Sequence, residues 1–528
     1  RPVIRSVMSC ILFDSARPVV ESDPARNDIA CFVGLARATG ASLPASIQTW
    51  LQAHGWSNPK LVRALDAPFT DLPLPIESYG AFTSLFDPGG SDQSYGTDYL
   101  AVAVRSFFAQ GGRRCYVIRM GDPLSPADDA DAKQRKLHSL LPSTTFAVDD
   151  RRTWHGAGHL GGLPDVSFLA LPDLPALCAS APTAAAGVVE QLPAGPAQFV
   201  ECAPASPTLP PIPLFTLPAP RLTPTDYATA WAPALESILT FLSQGGIRNL
   251  TVVAAFPLPQ DLDSAAASEN PSSAVLAQDV HSVISQLLPE TPGAGLSTAF
   301  LQLAYPWLAT TGSHVLNESL EPPDGALCGI LARNTLLRGA YADATKIVPS
   351  EISAVSTSLP PQDLAIPSTP FSWDGHSWKP LIARLSLFGF TPAGLRLLSD
   401  VTCFPGESYR SARVHRLVSV ISRAAQQLGE SVVFRSNGPA LWAQIENSLT
   451  QLLTQLWISN ALDGATAQDA FSIRCDSSTM TQNDLDNGRL IAEVTFNAAA
   501  TIELIRVTLA IETSGAGAQG VAALAGAS

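Results

Sequence analysis

Charge is scarce in this chain of 528 residues: Asp, Glu, Lys and Arg make up 15% of it, against about a quarter in an ordinary soluble domain. Lysine is scarcer still, with five positions (Lys60, Lys133, Lys136, Lys346 and Lys379) among 32 basic side chains. Acidic residues number 46, so the net charge is −14, a balance that repels phosphate backbones and anionic lipid alike. Nucleic acid and membrane surfaces are poor partners for such a chain. Two readings of the low charge stay open. Partner chains cover much of the nominal surface, with Arg serving buried contacts, or the base composition of the source favours Ala, Pro and Arg codons.

Long hydrophobic runs are missing as well. The richest, such as Leu250 to Leu258, meet proline well short of the about 18 apolar residues that a membrane-spanning helix needs. Arg5, Asp14 and Arg17 break the first 20 residues, which excludes a signal-peptide reading, and the start at Arg1 leaves room for residues upstream. A soluble protein is expected. The eight cysteines (Cys10, Cys31, Cys115, Cys178, Cys202, Cys328, Cys403 and Cys475) stand singly with no CxxC, the mark of reduced, buried thiols rather than of a disulfide framework or zinc site.

Catalytic motifs are equally scarce. There is no GxSxG, GxxxxGK[ST] or HExxH. Gly515, Gly517 and Gly520 spell GxGxxG after a strand, but the eight residues that follow have no room for the helix and second strand which that motif requires. His155 and His159 have the spacing of metal ligands on a helix. Their setting, WHGAGHLGG, disfavours a helix and offers no acidic or Cys partner nearby, so they read as loop histidines. His54, His138, His281, His314, His376 and His415 are isolated, and the neighbouring carboxylates Asp149 with Asp150 and Asp484 with Asp486 read as solvated loop residues.

What is present is a recurring unit of helix, glycine turn and strand. Asp28 to Gly34 (DIACFVG) reads as a buried strand closed by glycine. Ile76 to Phe86 has helical spacing, Thr97 is placed to cap a helix bearing Leu100, Val104, Phe107 and Phe108, and Arg114 to Met120 follows the Gly111–Gly112 stop as a strand. Val166 to Leu171 and Leu250 to Phe256 read as further strands, with helices over Tyr227 to Leu242 and Ala274 to Leu288. Proline recurs every few residues between Pro172 and Pro224, which predicts an extended surface loop without helix or strand. Val414 to Leu428 reads as an amphipathic helix ended by Gly429, and Val432 to Phe434 as a short strand. Pro439 opens a helix with Leu441, Ile445, Leu449, Leu452, Leu453 and Leu456 in one stripe. Phe471 to Cys475, Leu490 to Phe496 and Ile502 to Ile511 read as strands before a flexible Gly/Ala tail. The fold class is α/β with mixed α+β character.

These segments, in this order, resemble the contractile tail sheath family. From Val432 to Phe496 the landmarks are FRSN (Phe434 to Asn437), LW (Leu441 and Trp442), ALDG (Ala461 to Gly464), AFSIRCD (Ala470 to Asp476) and NDLDNG (Asn483 to Gly488). DIACFVG, IESYGAFTSLF (Ile76 to Phe86), YLAVAVRSFFAQGGRRCYVIRM (Tyr99 to Met120) and LEPPDGALCGILARN (Leu320 to Asn334) are similar to family elements too. The resemblance implies a multi-domain sheath fold: an extended arm over 1–27, a discontinuous core domain with its N-terminal part at 28–120, inserted outer domains over 121–380 that hold the Pro/Ala-rich loop 172–224, a C-terminal sheath domain over 381–511, and a tail from 512.

The implied role is structural and non-enzymatic: a sheath subunit that polymerises around an inner tube and contracts to drive it through a target envelope. The implied partners are other copies of the chain in hexameric rings or a helical lattice, the tube protein, and baseplate and terminator proteins. Neither cofactor, metal nor nucleic acid is implied, and assembly into a phage tail or tail-like particle takes place in the cytoplasm. The alternative is a sheath-like adaptor ring beside the baseplate, and the remote one is an enzyme of unknown type. Strand addition between neighbours falls to Ile502, Leu504, Ile505, Val507, Leu509 and Ile511, with Ile11 and Leu12 in the arm. An ordinary edge strand is the other reading of the C-terminal set. Gln444, Asn447 and Gln451, on the polar face of the Leu441 to Trp457 helix, are candidates to face the tube.

Overall fold

Apolar runs at wide intervals along the chain come together in one sheet. β1 (Ala30–Gly34), β2 (Leu74–Ile76), β3 (Cys115–Arg119), β4 (Phe168–Ala170), β5 (Thr251–Ala255), β6 (Leu301–Tyr305), β7 (Ser386–Thr391) and β8 (Gly394–Leu397) lie in the spatial order β8-β7-β6-β5-β4-β1-β3-β2. The six strands from β7 to β3 run parallel, and β8 and β2 close the two edges antiparallel. β1, β3, β4, β5 and β6 are buried at every position, which is why they read as unbroken apolar runs rather than alternating ones. The computed structural model describes residues 26–56, 69–88, 98–125, 128–147, 150–180, 218–247, 249–259, 299–356, 371–373, 376–378, 381–404, 406–432, 437–486, 489–499, 504–512 and 521–525. Thr97, the helix expected over Ala274 to Leu288 and most of the strand expected over Val432 to Phe434 lie outside the described residues.

Two helices show how closely this layer packs. α1 (Tyr99–Ala109) lies against α4 (Asp324–Arg338), and two glycines of the GALCG run permit the approach. A Cβ at Gly325 would sit 2.5 Å from the Ala103 carbonyl oxygen, and one at Gly329 the same 2.5 Å from that of Phe107. Between α1 and α4 come α2 (Ala130–Leu140) and α3 (Ala232–Gln244). α3 is entered through a π-helical turn at Tyr227–Trp231. Pro233 has no N–H to return to the carbonyl four residues back, so the looser turn absorbs the mismatch.

Three expectations change. The flanks of the Pro-rich stretch are ordered: Leu174–Cys178 is a buried helical turn with Pro175 in its first turn, where the missing N–H costs nothing, and Arg221–Leu222 pairs in parallel with Leu258–Pro259. Residues 181–217 lie outside the described residues. Gly429 does not end its helix; α5 (Ala412–Val432) runs through it, because a glycine stops a helix only where the chain leaves the right-handed region. And within the stretch expected to be a tail, Val521–Ala525 forms a strand.

A second core lies C-terminal to the first. α5 and α6 (Pro439–Ile458) cover one face of an antiparallel sheet made of β9 (Phe471–Arg474), β10 (Arg489–Asn497), β11 (Leu504–Glu512) and β12 (Val521–Ala525). Leu441, Ile445, Leu449, Leu453 and Leu456 form the buried stripe of α6, as its spacing predicts, and Leu490, Ala492, Val494 and Phe496 alternate inward along β10. The first core extends from Ile29 to Cys403 and the second takes in Tyr409 to Leu509 with Ala299 and Phe300. The boundary expected near 120 therefore falls inside one continuous sheet, and the C-terminal unit starts near 405 rather than 381, since 386–397 complete the first sheet.

Candidate interaction surfaces

The residues named for strand addition fall on β11. Its two edges are both occupied within the chain, by β10 from Arg489↔Glu512 to Asn497↔Leu504 and by β12 from Arg506↔Ala525 to Ala510↔Val521. Ile505, Val507 and Leu509 point into the core with 2%, 0% and 2% exposure, so they anchor the sheet rather than meet a neighbour directly. Leu504 and Ile511 lie in the same strand by backbone pairing. Ile502, Ile11 and Leu12 lie outside the described residues. Among the described residues, the open edges of this sheet are those of β9 and β12. On α6, Gln444 is half-buried while Asn447 and Gln451 are exposed, on the face opposite the apolar stripe.

A polar seam joins the two cores along α5. Arg416 is buried and forks onto Asp400, with Nη2 to Oδ2 at 2.5 Å and Nη1 to Oδ1 at 2.9 Å, and its Nε donates to the Ala340 carbonyl. Burial works against the Asp400 charge, but Arg416 outweighs it and holds the carboxyl below its ordinary range. Two turns on, Arg423 donates to the carbonyls of Arg26, Val166 and Asn249, all just upstream of strands of the first sheet. Burial lowers its pKa to about 10, with Asp165 and Asp28 opposing. Thr251 on β5 and His415 share a further contact at 3.0 Å.

The two histidines at metal-ligand spacing do meet an acid, one remote in sequence. Asp71 accepts from His155 Nδ1 and His159 Nε2, each at 2.8 Å, and from the Gly156 N–H at 2.9 Å. Burial opposes the Asp71 charge, yet the hydrogen bonds from His155 and His159 prevail and hold its carboxyl well below the usual range. The cluster ties the glycine-rich turn to the loop before β2. Among the described residues no group of three or more His, Cys, Asp or Glu is placed to hold a metal ion. His155 also lines a cleft of about 1090 Å³ between α2, α3 and the Leu174–Cys178 turn. The GxGxxG letters precede β12, a strand, so the helix that would receive a phosphate is not there. Cys31, Cys115, Cys178, Cys328, Cys403 and Cys475 are buried and unpaired, and burial pushes Cys178 and Cys403 up to about 12.

Residues 405–512, almost the whole second core, match the phage tail sheath C-terminal domain. Residues 405–512 are thereby similar to a sheath C-terminal domain. The fold of the rest agrees. A chain of the anti-feeding prophage (AFP) baseplate in its contracted state aligns with a TM-score of 0.56 at 17% identity, covering 92% of this chain and 93% of that chain. A chain of the 6-fold symmetrised AFP baseplate aligns with a TM-score of 0.51 at 17% identity, covering 91% and 92%. One from the PVC sheath complex of an extracellular contractile injection system, also contracted, gives 0.50 at 14% identity and 91% of each chain. No curated protein matches at the level of sequence. No helix among the described residues is long and apolar enough to cross a membrane.

Proposed function

We infer that this chain is a structural sheath subunit of a contractile injection system, assembling with its own copies into a lattice around an inner tube. The observation that carries this reading is the sheath C-terminal domain at 405–512, set on a body whose fold matches sheath-system chains over nine-tenths of its length. The role is mechanical rather than catalytic, and assembly takes place in the cytoplasm before the particle acts. The lattice drives the tube by repacking the contacts between subunits while each fold stays nearly rigid, and the buried Arg416–Asp400 fork suits a body that moves as one piece.

β12 is the segment through which copies exchange strands. Its sequence, VAALA, has small side chains and no charge, so main-chain bonds supply most of its hold on β11. The eight residues between β11 and β12 reach at most about 28 Å when extended, and the same strand seated on a neighbour's β11 replaces every pairing lost at home. Ile505, Val507 and Leu509 then act as the fixed floor of the receiving sheet, and Asn447 and Gln451 are the residues of α6 best placed to face the tube.

Truncation after Glu512 tests this reading. The full chain, with tube protein supplied, is expected to form long sheaths by negative-stain electron microscopy, and the truncated chain to melt at the same temperature yet form none. Sheaths from the truncated chain would remove β12 from the assembly. Single rings from the full chain would assign it to the position beside the baseplate, a reading favoured by the two AFP baseplate matches. Discrete particles under every condition would reject the sheath role itself.

A further inference from the structure

The cleft between α2, α3 and the Leu174–Cys178 turn takes no part in the assembly proposed above. Its walls explain why it stays open. α2 turns Leu137 and Leu141 inward, while the π-helical turn and α3 present Ala230, Pro233, Ala234 and Ser237, short side chains that leave the gap unfilled. Trp154, Leu177 and Cys178 complete an apolar lining, and at about 1090 Å³ the cleft has the capacity of a small-molecule site. Its frame is held in place. Trp154 Nε1 donates to the Ala147 carbonyl at 2.8 Å, and Asp226 accepts from Ser180 and from the Thr223 N–H, which clamps the Leu174–Cys178 turn to the entry of α3.

A cation in this lining lacks a counterion. Lys133, half-buried on α2, donates from Nζ to the Ala179 carbonyl at 3.2 Å and has two further N–H groups to offer. It is in no ion pair among the described residues. The other charged groups are matched within the chain. Asp128 takes Lys136 at 2.6 Å, the Asp129 carboxylate caps α2 through the Ala132 N–H, Arg152 forks onto Asp150, and His155 is held by Asp71. Asp226, whose charge also reaches Lys133, is taken by Ser180 and Thr223. Burial keeps the Lys133 pKa below its ordinary value in spite of Asp226 and Asp128. A half-buried ammonium in an apolar cleft is costly unless an anion joins it, and His138, exposed at the rim, adds a second basic group.

We propose that the cleft binds a small amphiphilic anion, an elongated apolar body ending in one carboxylate, which lies against the Leu137 and Leu141 wall with its head on Lys133. The apolar lining supplies most of the affinity, and the charged hydrogen bond to Lys133 fixes the orientation. A neutral or cationic amphiphile of the same length is rejected, since it leaves the ammonium without its counterion. The site goes beyond the sheath reading and does not depend on it, because its walls belong to the first core, outside 405–512.

The test titrates the full-length chain with decanoate, 1-decanol and decylamine by isothermal calorimetry. Decanoate is expected to bind at one site with a Kd below about 100 µM, 1-decanol at least about tenfold more weakly, and decylamine not at all. Lys133→Met keeps the apolar stem and removes the charge; it is expected to weaken decanoate at least about tenfold while leaving 1-decanol and thermal unfolding unchanged. Ser237→Trp, which fills the cleft from α3, is expected to abolish binding of both. On irradiation, a decanoate with a terminal diazirine is expected to label peptides from 130–145 and 174–180. Equal affinity for decanoate and 1-decanol, or a Lys133→Met chain that binds decanoate as the wild type does, overturns the anion assignment. Label confined to other peptides overturns the cleft as the site. Absence of binding overturns the proposal, and binding that emerges only once residues 184–214 are deleted gives the cleft to that segment instead. None of these outcomes reads polymer formation, so the sheath role stands or falls separately. Should Ser237→Trp unfold, Lys133→Met still decides.

Discussion

The two sheets of this protein solve the same problem in opposite ways. In the eight-stranded sheet, six parallel strands sit under helices, and buried polar groups are fastened by side chains distant in sequence, such as Ser106 to Glu321 and Arg416 to Asp400. In the four-stranded sheet every neighbour is sequential, one face is covered by α5 and α6, and beyond Arg423 no polar or charged residue is counted in the buried core among the described residues. The first arrangement cannot exchange a strand without breaking a network. In the second, the last strand is held along one edge, by β11, so under the strand exchange proposed above the pairings lost at home are those replaced on a neighbour. On the proposed function, the difference separates the part of the chain that stays rigid from the part that links to other copies.

The seam is where that division can be broken most severely. Asp400→Asn leaves the Arg416 guanidinium buried without a charge partner, and the expected loss is about 3–5 kcal/mol in urea denaturation. Replacing both residues by Leu and Met restores much of it, because the cost lies in the orphaned charge. A loss below about 1 kcal/mol for Asp400→Asn would mean that the two cores are joined by apolar contact alone.

The cores should also answer differently to pH. Burial pushes Glu321 up to about 8 and Asp324 up to about 7, against the hydrogen bonds each accepts. Their folded-state pKa values are raised, so the stability they contribute is full below the ordinary carboxyl range and is lost as pH rises through about 7 to 8. Asp71 and Asp400 are lowered and act with the opposite sign: their contribution is present above the ordinary range and fades in acid. Stability of the first core is therefore expected to be highest near the ordinary carboxyl range, at about pH 4 to 5, to fall as pH rises from there through about 7 to 8, and to level off above. The second core has no buried carboxylate among its described residues and should hold steady over that interval. Denaturation at pH 5, 7 and 9 checks this, with Glu321→Gln expected to flatten the alkaline side; equal pH slopes in both cores would erase the contrast.

Leu453→Ala sharpens it from the other side. Leu453 is fully buried between α6 and the sheet, and the cavity left should cost about 2–4 kcal/mol. The loss is expected in the second core only, seen as an early transition by hydrogen exchange while β1, β3 and β4 stay protected. Simultaneous loss of protection in both sheets would show that the seam couples them into one cooperative unit.

The sequence is legible where local pattern and final environment agree. The unbroken apolar runs of β1, β3 and β5 announce strands buried on both faces, and the leucine stripe of α6 announces its own buried side. Asp71 stands 84 residues from His155, and nothing near either position signals that they meet. The seam left a fainter trace: His415, Arg416, Ser419 and Arg423 fall at helical spacing beside the apolar stripe of α5, where charge would be costly unless paired. β12 left none. Its pairing depends on backbone groups that every sequence carries, so VAALA gives no alternation to read.

The smallest expected effect concerns β9, the other open edge of the second sheet. Arg474 and Glu493 face each other across β9 and β10 at 2.6 Å, on the side away from the helices, with Arg474 largely in solvent. Such a pair gains little because water screens it and two long side chains must be held in place. Glu493→Gln is therefore expected to shift the melting temperature of the isolated chain by less than about 1 °C. Its consequence for assembly distinguishes the two edges. If β9 stays open in the lattice, sheath formation is unaffected too, and exchange is confined to β12. A variant that melts normally but assembles poorly would show that the β9 edge is also covered by a neighbour, making the second sheet a junction on both sides.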